Sequence, residues 1–372
     1  MIILFYIALG FLLIVMLITL VNATSAPLLK NGPAPVSTPF VSLLVPARNE
    51  EKVINRCLTA LQNQDYLNIE ILVLDDDSAD GTAEIIRQKN REDERIKFYS
   101  GKPLPPGWTG KNWACRQLAR QAKGEFLIFT DADNWHHPNA VSATVGWMQK
   151  LDLALFSAFP QQITKTLAEK LIVPSIYMSV YCYLPLWLTY YLPFPSLAAA
   201  NGQWMAFRKT AYDDIGGHKV VRNHAVEDTA LSRLVKKSGF QILTASGKNR
   251  VFGRMYSNWQ EVWEGFSKNA FGLMEFKTVP FVILLALMTV GFVYPYFLLF
   301  HSVYALIAVA INILIRLVLA LKFRDPFLTV ILHPLAILLT ITLGIYSMYR
   351  YFKGDIRWKD RTISLRQTRC GD

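Results

Sequence analysis

Cysteine is scarce in this chain. Four are present in 372 residues, Cys57, Cys115, Cys182 and Cys370, widely scattered and without a Cys-x-x-Cys pair. That excludes a disulfide framework or a paired-thiol motif and fits reduced structural thiols in a cytosolic setting. A zinc centre is equally unsupported, because no close Cys or second carboxylate completes a tetrahedral set around His218 and His224. No internal repeat and no nucleic-acid-binding module is present, so no nucleic-acid partner is expected despite the net charge of +11. Charge is missing altogether from Met1 to Val21, a run about long enough to cross a bilayer. A secretory signal needs basic residues ahead of its apolar run. None is there, so the segment is read as an uncleaved anchor.

What is abundant is apolar surface. The hydrophobic fraction is 52% and the mean hydropathy is +0.24, too apolar for an ordinary soluble enzyme. Val279–Phe300, Ser302–Leu321 and Pro326–Tyr349 are three further candidate spans, the last two carrying Arg316 and His333. The excess of basic residues then reports cytoplasmic loops and contact with anionic membrane lipids. The expected location is the cell membrane, multi-pass, with the large polar domain in the cytoplasm. One difficulty is visible. One anchor before that domain and three after it put the tail outside, yet the tail carries Arg350, Lys353, Arg357, Lys359, Arg361, Arg366 and Arg369. Either one C-terminal segment is re-entrant, with a break at His333-Pro334, or the positive-inside tendency fails here.

The expected layout is an anchor over 1–22, a Pro/Ser/Gly-rich linker over 23–39, a catalytic domain over 40–275, membrane segments over 279–349 and a basic tail over 350–372. Strands are expected at Phe40–Pro46, Ile69–Leu74, Ile96–Tyr99 and from Phe126, alternating with helices at Glu50–Gln62, Asp80–Lys89 and Lys111–Ala122. Asp152–Phe159, Ala198–Arg208, Phe240–Ala245 and Arg250–Arg254 complete a strand set. This is an α/β, Rossmann-like, mostly parallel mixed sheet with helices on both faces. Leu167–Pro195 is apolar, aromatic-rich and broken by prolines. It is read as an interfacial segment, or else as a buried pair of aromatic helices. From Asn258 to Phe271, Trp259, Val262, Trp263, Phe266 and Ala270 recur at helical spacing, a stripe that lies on the bilayer or packs on protein.

The chemistry gathers around Phe126-Leu-Ile-Phe-Thr-Asp-Ala-Asp133. Its apolar run leads into two carboxylates, Asp131 and Asp133, at the strand's carboxyl end, where open α/β sheets bind ligands. Residues two apart on an extended segment point the same way, so both carboxylates are expected to face one hard cation, Mg2+ or Mn2+, shared with substrate phosphates. Three more motifs accompany it: Pro46-Ala-Arg-Asn-Glu50, Asp75-Asp-Asp-Ser-Ala-Asp-Gly-Thr82 and Glu227-Asp228.

Together these motifs resemble the family 2 inverting glycosyltransferases of the GT-A fold, over Phe40 to about Phe271. The resemblance implies a nucleotide-sugar donor, most simply a UDP-sugar, bound by Asp76, by the backbone at Pro46 and Ala47, and with Glu50 beside them. It implies that Asp131 and Asp133 hold the ribose and the metal, and that Asp228, with Glu227 as the alternative, is the general base for an acceptor hydroxyl. The family commonly has Gly where Asp77 stands. A narrower resemblance, to the membrane glycosyltransferases of carotenoids and their hopanoid-associated relatives, rests on Pro103-Leu-Pro-Pro-Gly-Trp-Thr-Gly-Lys-Asn-Trp-Ala-Cys115, Gln161–Lys165, Gly217-His-Lys219 and Arg254-Met-Tyr256. It implies a lipid-soluble hydroxylated acceptor and places Lys111 near the donor diphosphate. Processive polymerases carry a Gln-x-x-Arg-Trp motif that is missing here. A nucleotidyltransferase is disfavoured by the lack of a Gly-rich loop after the first strand. A non-catalytic nucleotide-sugar-binding protein is disfavoured by the complete carboxylate set.

Overall fold

The computed structural model describes residues 2–186, 188–354, 357–358 and 361–362; most of the basic tail, including Lys359, Arg366, Arg369 and Cys370, lies outside the described residues. The chain forms two compact units. One holds 1–26, 164–186 and 256–372; the other holds 27–163 and 187–255. The single domain expected over 40–275 is therefore divided, with 164–186 and 256–275 grouped with the apolar helices.

In chain order, α1 (Ile2–Ser25) opens the apolar unit. The sheet unit then runs β1 (Val41–Ala47), α2 (Ile54–Gln62), β2 (Ile69–Asp75), α3 (Thr82–Glu92), β3 (Ile96–Ser100), α4 (Gly110–Gln121), β4 (Phe126–Phe129), β5 (Asn134–His136), α5 (Ala140–Lys150), β6 (Leu155–Phe159) and β7 (Gln161–Gln162). After α6 (Leu167–Ile172) and α7 (Ser175–Tyr181) of the apolar unit come α8 (Leu188–Tyr191), β8 (Met205–Arg208), α9 (Lys209–Asp214), α10 (Glu227–Lys237), β9 (Ile242–Ser246) and β10 (Val251–Gly253). The main sheet has the order β3-β2-β1-β4-β8-β6-β9. Neighbours from β3 to β4 are parallel, as are β6 and β9, while β8 runs antiparallel to both of its neighbours. Strands β2, β4 and β6 are buried along their whole length, which is why they read as near-continuous apolar runs rather than alternating ones. A small second sheet, β5-β10-β7, lies at the end of β4.

Two readings change here. The segment 27–39 is no free linker. Leu29 is fully buried, the Trp147 indole donates to the Leu28 carbonyl at 3.2 Å, and Ser246 N–H donates to the Pro27 carbonyl at 2.8 Å. It packs on α5, which the sequence pattern did not announce because small residues fill the contact. A Cβ on Gly146 would stand 1.9 Å from the Pro33 carbonyl oxygen. The strand expected at Ala198–Arg208 is confined to its last four residues, and Trp204 just before it is wholly buried, its indole donating to Thr144 Oγ1 at 2.9 Å. Trp204 is a core residue.

In the apolar unit, α11 (Trp259–Asn269), α12 (Thr278–Met288), a π turn over 289–293, α13 (Tyr294–Phe297), α14 (Val303–Phe323), α15 (Leu328–Ile331) and α16 (His333–Lys353) follow one another. Among the described residues, four helices are long and apolar enough to cross a membrane: 3–25, 278–297, 303–323 and 333–353. The stripe of α11 packs through Val262 and Phe266 on α6 and α16. Tyr177 stacks on Phe323 at 3.8 Å, and Asn22 Nδ2 donates to the carbonyls of Tyr181 and Leu184 at 2.9 and 2.7 Å. The aromatic part of 167–186 is thus a packed helix pair.

The contacts also set the helix directions. Phe5 and Tyr6 meet Tyr304, while Lys322 Nζ donates to the Ala23 carbonyl at 2.7 Å, so α1 and α14 are parallel. Phe5 meets Tyr294 and Phe11 meets Phe292, so the α12–α13 span runs against them. His333 meets Phe292, Gly344 lies beside Leu285 and Phe281, and Phe271 N–H donates to Ser347 Oγ, so α16 also runs against α12. Consecutive α14 and α16 therefore point the same way. The segment 324–332 folds back along α14, tied by Arg316 Nη2 to Asp325 Oδ2 at 2.8 Å and to Thr329 Oγ1 at 2.6 Å. This is the re-entrant arrangement, with the break at His333-Pro334. It gathers Lys277, Lys322, Arg324, Arg350 and Lys353 at one end of the unit and leaves the 298–302 loop at the other without Lys or Arg. Topology reporters inserted in 298–302 and after Lys353 will read opposite sides of the membrane, with the second on the same side as residue 27; equal readings would contradict this course of the chain.

Candidate active site

The site forms where β1, β2 and β4 end on the same edge of the sheet. After β1, Arg48 turns back onto the β2 loop. Its Nη1 donates to the Asp76 carbonyl and lies 4.0 Å from the carboxylates of both Asp76 and Asp77. The two loops are stitched together: Asn49 N–H donates to Ser78 Oγ, Ala79 N–H to Asn49 Oδ1, and Glu50 N–H to Thr82 Oγ1, at 2.8–2.9 Å. Asp80 accepts the Thr82 N–H at the start of α3; burial alone would raise its carboxyl, but the Thr82 and Glu51 hydrogen bonds hold it below its usual value. Asp77 has a φ of 60°. Glycine enters that left-handed region freely, whereas Asp and Asn enter it at modest cost, which accounts for the unusual residue here. The Asp77 side chain is 89% exposed and that of Asp76 6%. Asp76 is therefore the carboxylate held at the sheet, with its N–H donating to the Ala47 carbonyl at 2.8 Å.

Asp131 and Asp133 stand at the end of β4, as expected, but not on extended backbone. The strand stops at Phe129, and Asn134 N–H donates to the Asp131 carbonyl at 3.2 Å, closing a turn. The two-residue alternation argument therefore does not apply. Instead the carboxylates are set in different cationic surroundings. Asp131 Oδ1 is 2.8 Å from Lys111 Nζ. Asp133 acts on Arg56, whose guanidinium lies 3.6 Å over the Trp135 ring. The thiol of Cys57 is buried among these groups; burial first, then Asp133, Asp131 and Glu50, push it far up. Those three carboxylates thus all lie within electrostatic reach of Cys57. Beneath the turn, Asn134 Nδ2 and Thr130 Oγ1 both donate to the Gln203 carbonyl at 2.9 Å, and Gln162 Nε2 donates to Gln203 Oε1 at 2.8 Å.

Lys111 links this turn to the other half of the site. It is the second residue of α4, capped by Thr109, and its Nζ bridges Asp131 Oδ1 and Glu227 Oε1 at 2.8 and 3.0 Å. Burial works against its charge, but the two carboxylates more than offset it and hold the ammonium well above its ordinary value. Glu227 and Asp228, in the first turn of α10, separate. For Glu227, burial is outweighed by Lys111, so it stays ionised below its usual value. For Asp228, burial and the neighbouring Glu227 charge push the carboxyl up to about 6, against Lys111 and the N–H groups of Gly202 and Thr229, which donate at 2.9 and 2.7 Å. Neighbouring carboxyls driven apart in this way suit two separate roles.

Two residues here were not singled out from the sequence. A Cβ on Gly202 would lie 3.1 Å from Lys111 Nζ and 3.3 Å from Glu227 Oε1, so Gly202 leaves room for the ion pair. Asn112 is fully buried and donates through Nδ2 to the carbonyls of Val221 and His224 at 2.8 and 3.0 Å. It clamps the loop before Glu227 to the helix that carries Lys111. The Gly-Lys-Asn run contained it, but nothing local marks its partners, which lie 109 and 112 residues away. His218 is a core residue, its ring 2.7 Å from the Tyr212 hydroxyl and kept neutral by burial, which lowers it to about 3. It stays within electrostatic reach of Glu227 and Lys111.

Carboxylate oxygens are the donors a hard divalent cation prefers. Among the described residues no three His, Cys, Asp or Glu side chains form a closed metal cage. The donor set at Asp131 and Asp133 thus fits a cation shared with a phosphate ligand and not one held by protein alone.

Comparison with known proteins agrees with this architecture. Residues 42–216 match glycosyl transferase family 2. A 4,4'-diaponeurosporenoate glycosyltransferase of Staphylococcus haemolyticus is 27% identical over 242 residues, 63% of this chain and 61% of that protein. The match thus spans about three fifths of the relative's length. A GalNAc(5)-diNAcBac-PP-undecaprenol beta-1,3-glucosyltransferase of Campylobacter jejuni is 32% identical over 96 residues, 26% of this chain and 30% of that one. The structure of a Pyrobaculum calidifontis mannosyltransferase in complex with GDP-Man and Mn2+ superimposes with a TM-score of 0.59 at 16% identity, covering 96% of this chain and all of that one, a likeness of fold.

Asn112→Ala is expected to lower stability by about 1–3 kcal/mol, since three carbonyls lose a buried donor; a thermal unfolding midpoint equal to wild type would show that the clamp does not hold the loop. The mixed sheet and the carboxylates at its edge thus lie in a chain whose residues 42–216 match glycosyl transferase family 2 and whose fold is GT-A-like.

Proposed function

We propose that this protein is a membrane-bound inverting glycosyltransferase that moves a sugar, glucose from UDP-glucose in the simplest case, to a hydroxyl of a lipid acceptor such as a carotenoid. The observation that carries this is the opposed pair at the start of α10: an ionised Glu227 on Lys111 and an Asp228 carboxyl poised at about 6. A hydroxyl nucleophile needs a base that is ionised near neutrality yet still basic. Asp228 meets that requirement, and Glu227 does not, because Lys111 holds its proton affinity down.

Donor binding is assigned to the other half. Asp76, the backbone of Pro46 and Ala47, and Glu50 line the β1 and β2 ends and would hold the base and ribose. Asp131 and Asp133 would hold Mg2+ or Mn2+, which when bound supplies charge neutralisation at the leaving diphosphate. Lys111 adds a point charge on the same side. The acceptor oxygen attacks the anomeric carbon as the diphosphate departs, and Asp228 takes the acceptor proton. One displacement inverts the centre, and the enzyme supplies no nucleophile of its own. The basic end of the apolar unit supports a cytoplasmic catalytic unit, where nucleotide sugars are made.

A second acceptor class has one specific support: the staphylococcal relative is named for a carboxylate, 4,4'-diaponeurosporenoate. A carboxylate acceptor arrives already deprotonated and makes no demand on a base. The two are separated by Asp228→Asn. With a hydroxyl acceptor the rate falls about 100- to 10,000-fold; with a carboxylate acceptor it survives within a few-fold.

The first test is glycolipid formation by membranes holding the protein, with a panel of nucleotide sugars and hydroxylated or carboxylated polyene acceptors, with Mg2+, Mn2+ or chelator. Product that depends on a divalent cation and is lost in Asp133→Ala supports the assignment; turnover unchanged by chelator removes the metal from it. In the hydroxyl case kcat/KM should fall as the pH drops through about 6, because Asp228 must be ionised to act as the base. Glu227→Gln removes the charge that raises Asp228, so that acid limb moves to lower pH; a limb that stays in place would assign it to another group.

A further inference from the structure

The re-entrant turn encloses a polar cluster that the transfer reaction does not use. Asn312 and Arg316 lie one turn apart on the same face of α14 and are 0% and 2% exposed. His333, 1% exposed, opens α16 opposite them, edge-on to Phe292 at 5.8 Å and within electrostatic reach of Arg316. Asn312 Nδ2 donates to the Gly291 carbonyl at 3.1 Å, in the π turn that precedes Phe292. π turns interrupt the regular ladder and recur at functional sites. Three polar atoms at this level are buried without a hydrogen-bond partner among the described residues: Asn312 Oδ1, Arg316 Nη1 and His333 Nε2. Leaving such groups unsatisfied in an apolar interior costs free energy, so polar residues at membrane depth mark ligand sites more often than packing.

We propose that this cluster binds the hydroxyl group of an elongated apolar alcohol, held with its chain among the helices of the apolar unit. The chemistry of the three atoms selects the group. Asn312 Oδ1 accepts, Arg316 Nη1 donates, and His333 Nε2 does either according to tautomer. A hydroxyl both donates and accepts and so satisfies the set. An anionic head group does not suit it. The Arg316 charge is already balanced by Asp325 at 2.8 Å, so a carboxylate or phosphate would bring an uncompensated charge into a low-dielectric interior. The inference does not depend on the proposed transfer reaction.

The experiment uses the full chain in nanodiscs and a long-chain alcohol bearing a diazirine and an alkyne. Photolabel should map to peptides of α14 and α16. Octadecanol should compete at least fivefold better than octadecane and better than octadecanoate. Asn312→Leu, close in size and neutral, should cut the labelling at least fivefold while the thermal unfolding midpoint and nucleotide binding by the sheet unit stay at wild-type values. Equal competition by octadecane, or undiminished labelling of a folded Asn312→Leu protein, would mean that the cluster holds only water. Stronger competition by octadecanoate would overturn the charge argument. Should Asn312→Leu fail to fold, the competition series on the wild-type protein decides alone.

Discussion

One ammonium group organises the carboxylate cluster at the edge of the main sheet. Lys111 sits at 2.8 and 3.0 Å from two carboxylates far apart in the sequence, Asp131 and Glu227. Its charge joins the edge of the sheet to the helix start that carries Glu227 and Asp228. It also decides which carboxyl of the Glu227-Asp228 pair keeps its proton longer. Paired with Lys111, Glu227 is spent as a base but is present as a negative charge, and that charge, with burial, lifts Asp228. The surrounding structure reads as support for this bridge. Gly202 has no side chain to intrude between the partners, and Asn112 fastens the loop before Glu227 to the helix bearing Lys111.

How much of this was legible follows from range. Motifs carried by consecutive residues were readable: the β-strand ends with Asp76 and with Asp131 and Asp133 fall at one edge of the sheet, and Glu227-Asp228 opens α10. The alternation of apolar runs also revealed the mixed sheet, because buried strands leave a continuous hydrophobic signature. Pairings across more than a hundred residues were not readable. Nothing near Lys111 names Glu227 as its partner, and Asn112 looks like any polar residue in a first helical turn. The Asp131–Asp133 geometry failed for another reason: the strand ends two residues early, and alternation holds only while the backbone stays extended. Helix α5 carries a buried stripe, Val141, Val145 and Met148, but its face beneath 29–33 is made by Ala143 and Gly146, whose burial leaves almost no hydrophobic signal. For the same reason the segment lying on it looked like a free linker.

The apolar unit shows composition and direction separating. Hydropathy located all of its long helices, but it cannot say which way a helix runs. The direction of α16 is set by contacts of His333, Gly344 and Ser347, and only the surplus of basic residues beyond it hinted that the chain must double back.

The two thiols of the sheet unit, Cys57 and Cys115, are buried, and both are driven strongly toward the protonated form, Cys57 by burial and the carboxylates around it. Oxidants and alkylating agents attack the thiolate. Cys57 is therefore chemically quiet, through its burial first and the nearby carboxylates second. A cysteine introduced on the surface of the sheet unit would be the first there to react with a thiol-directed probe.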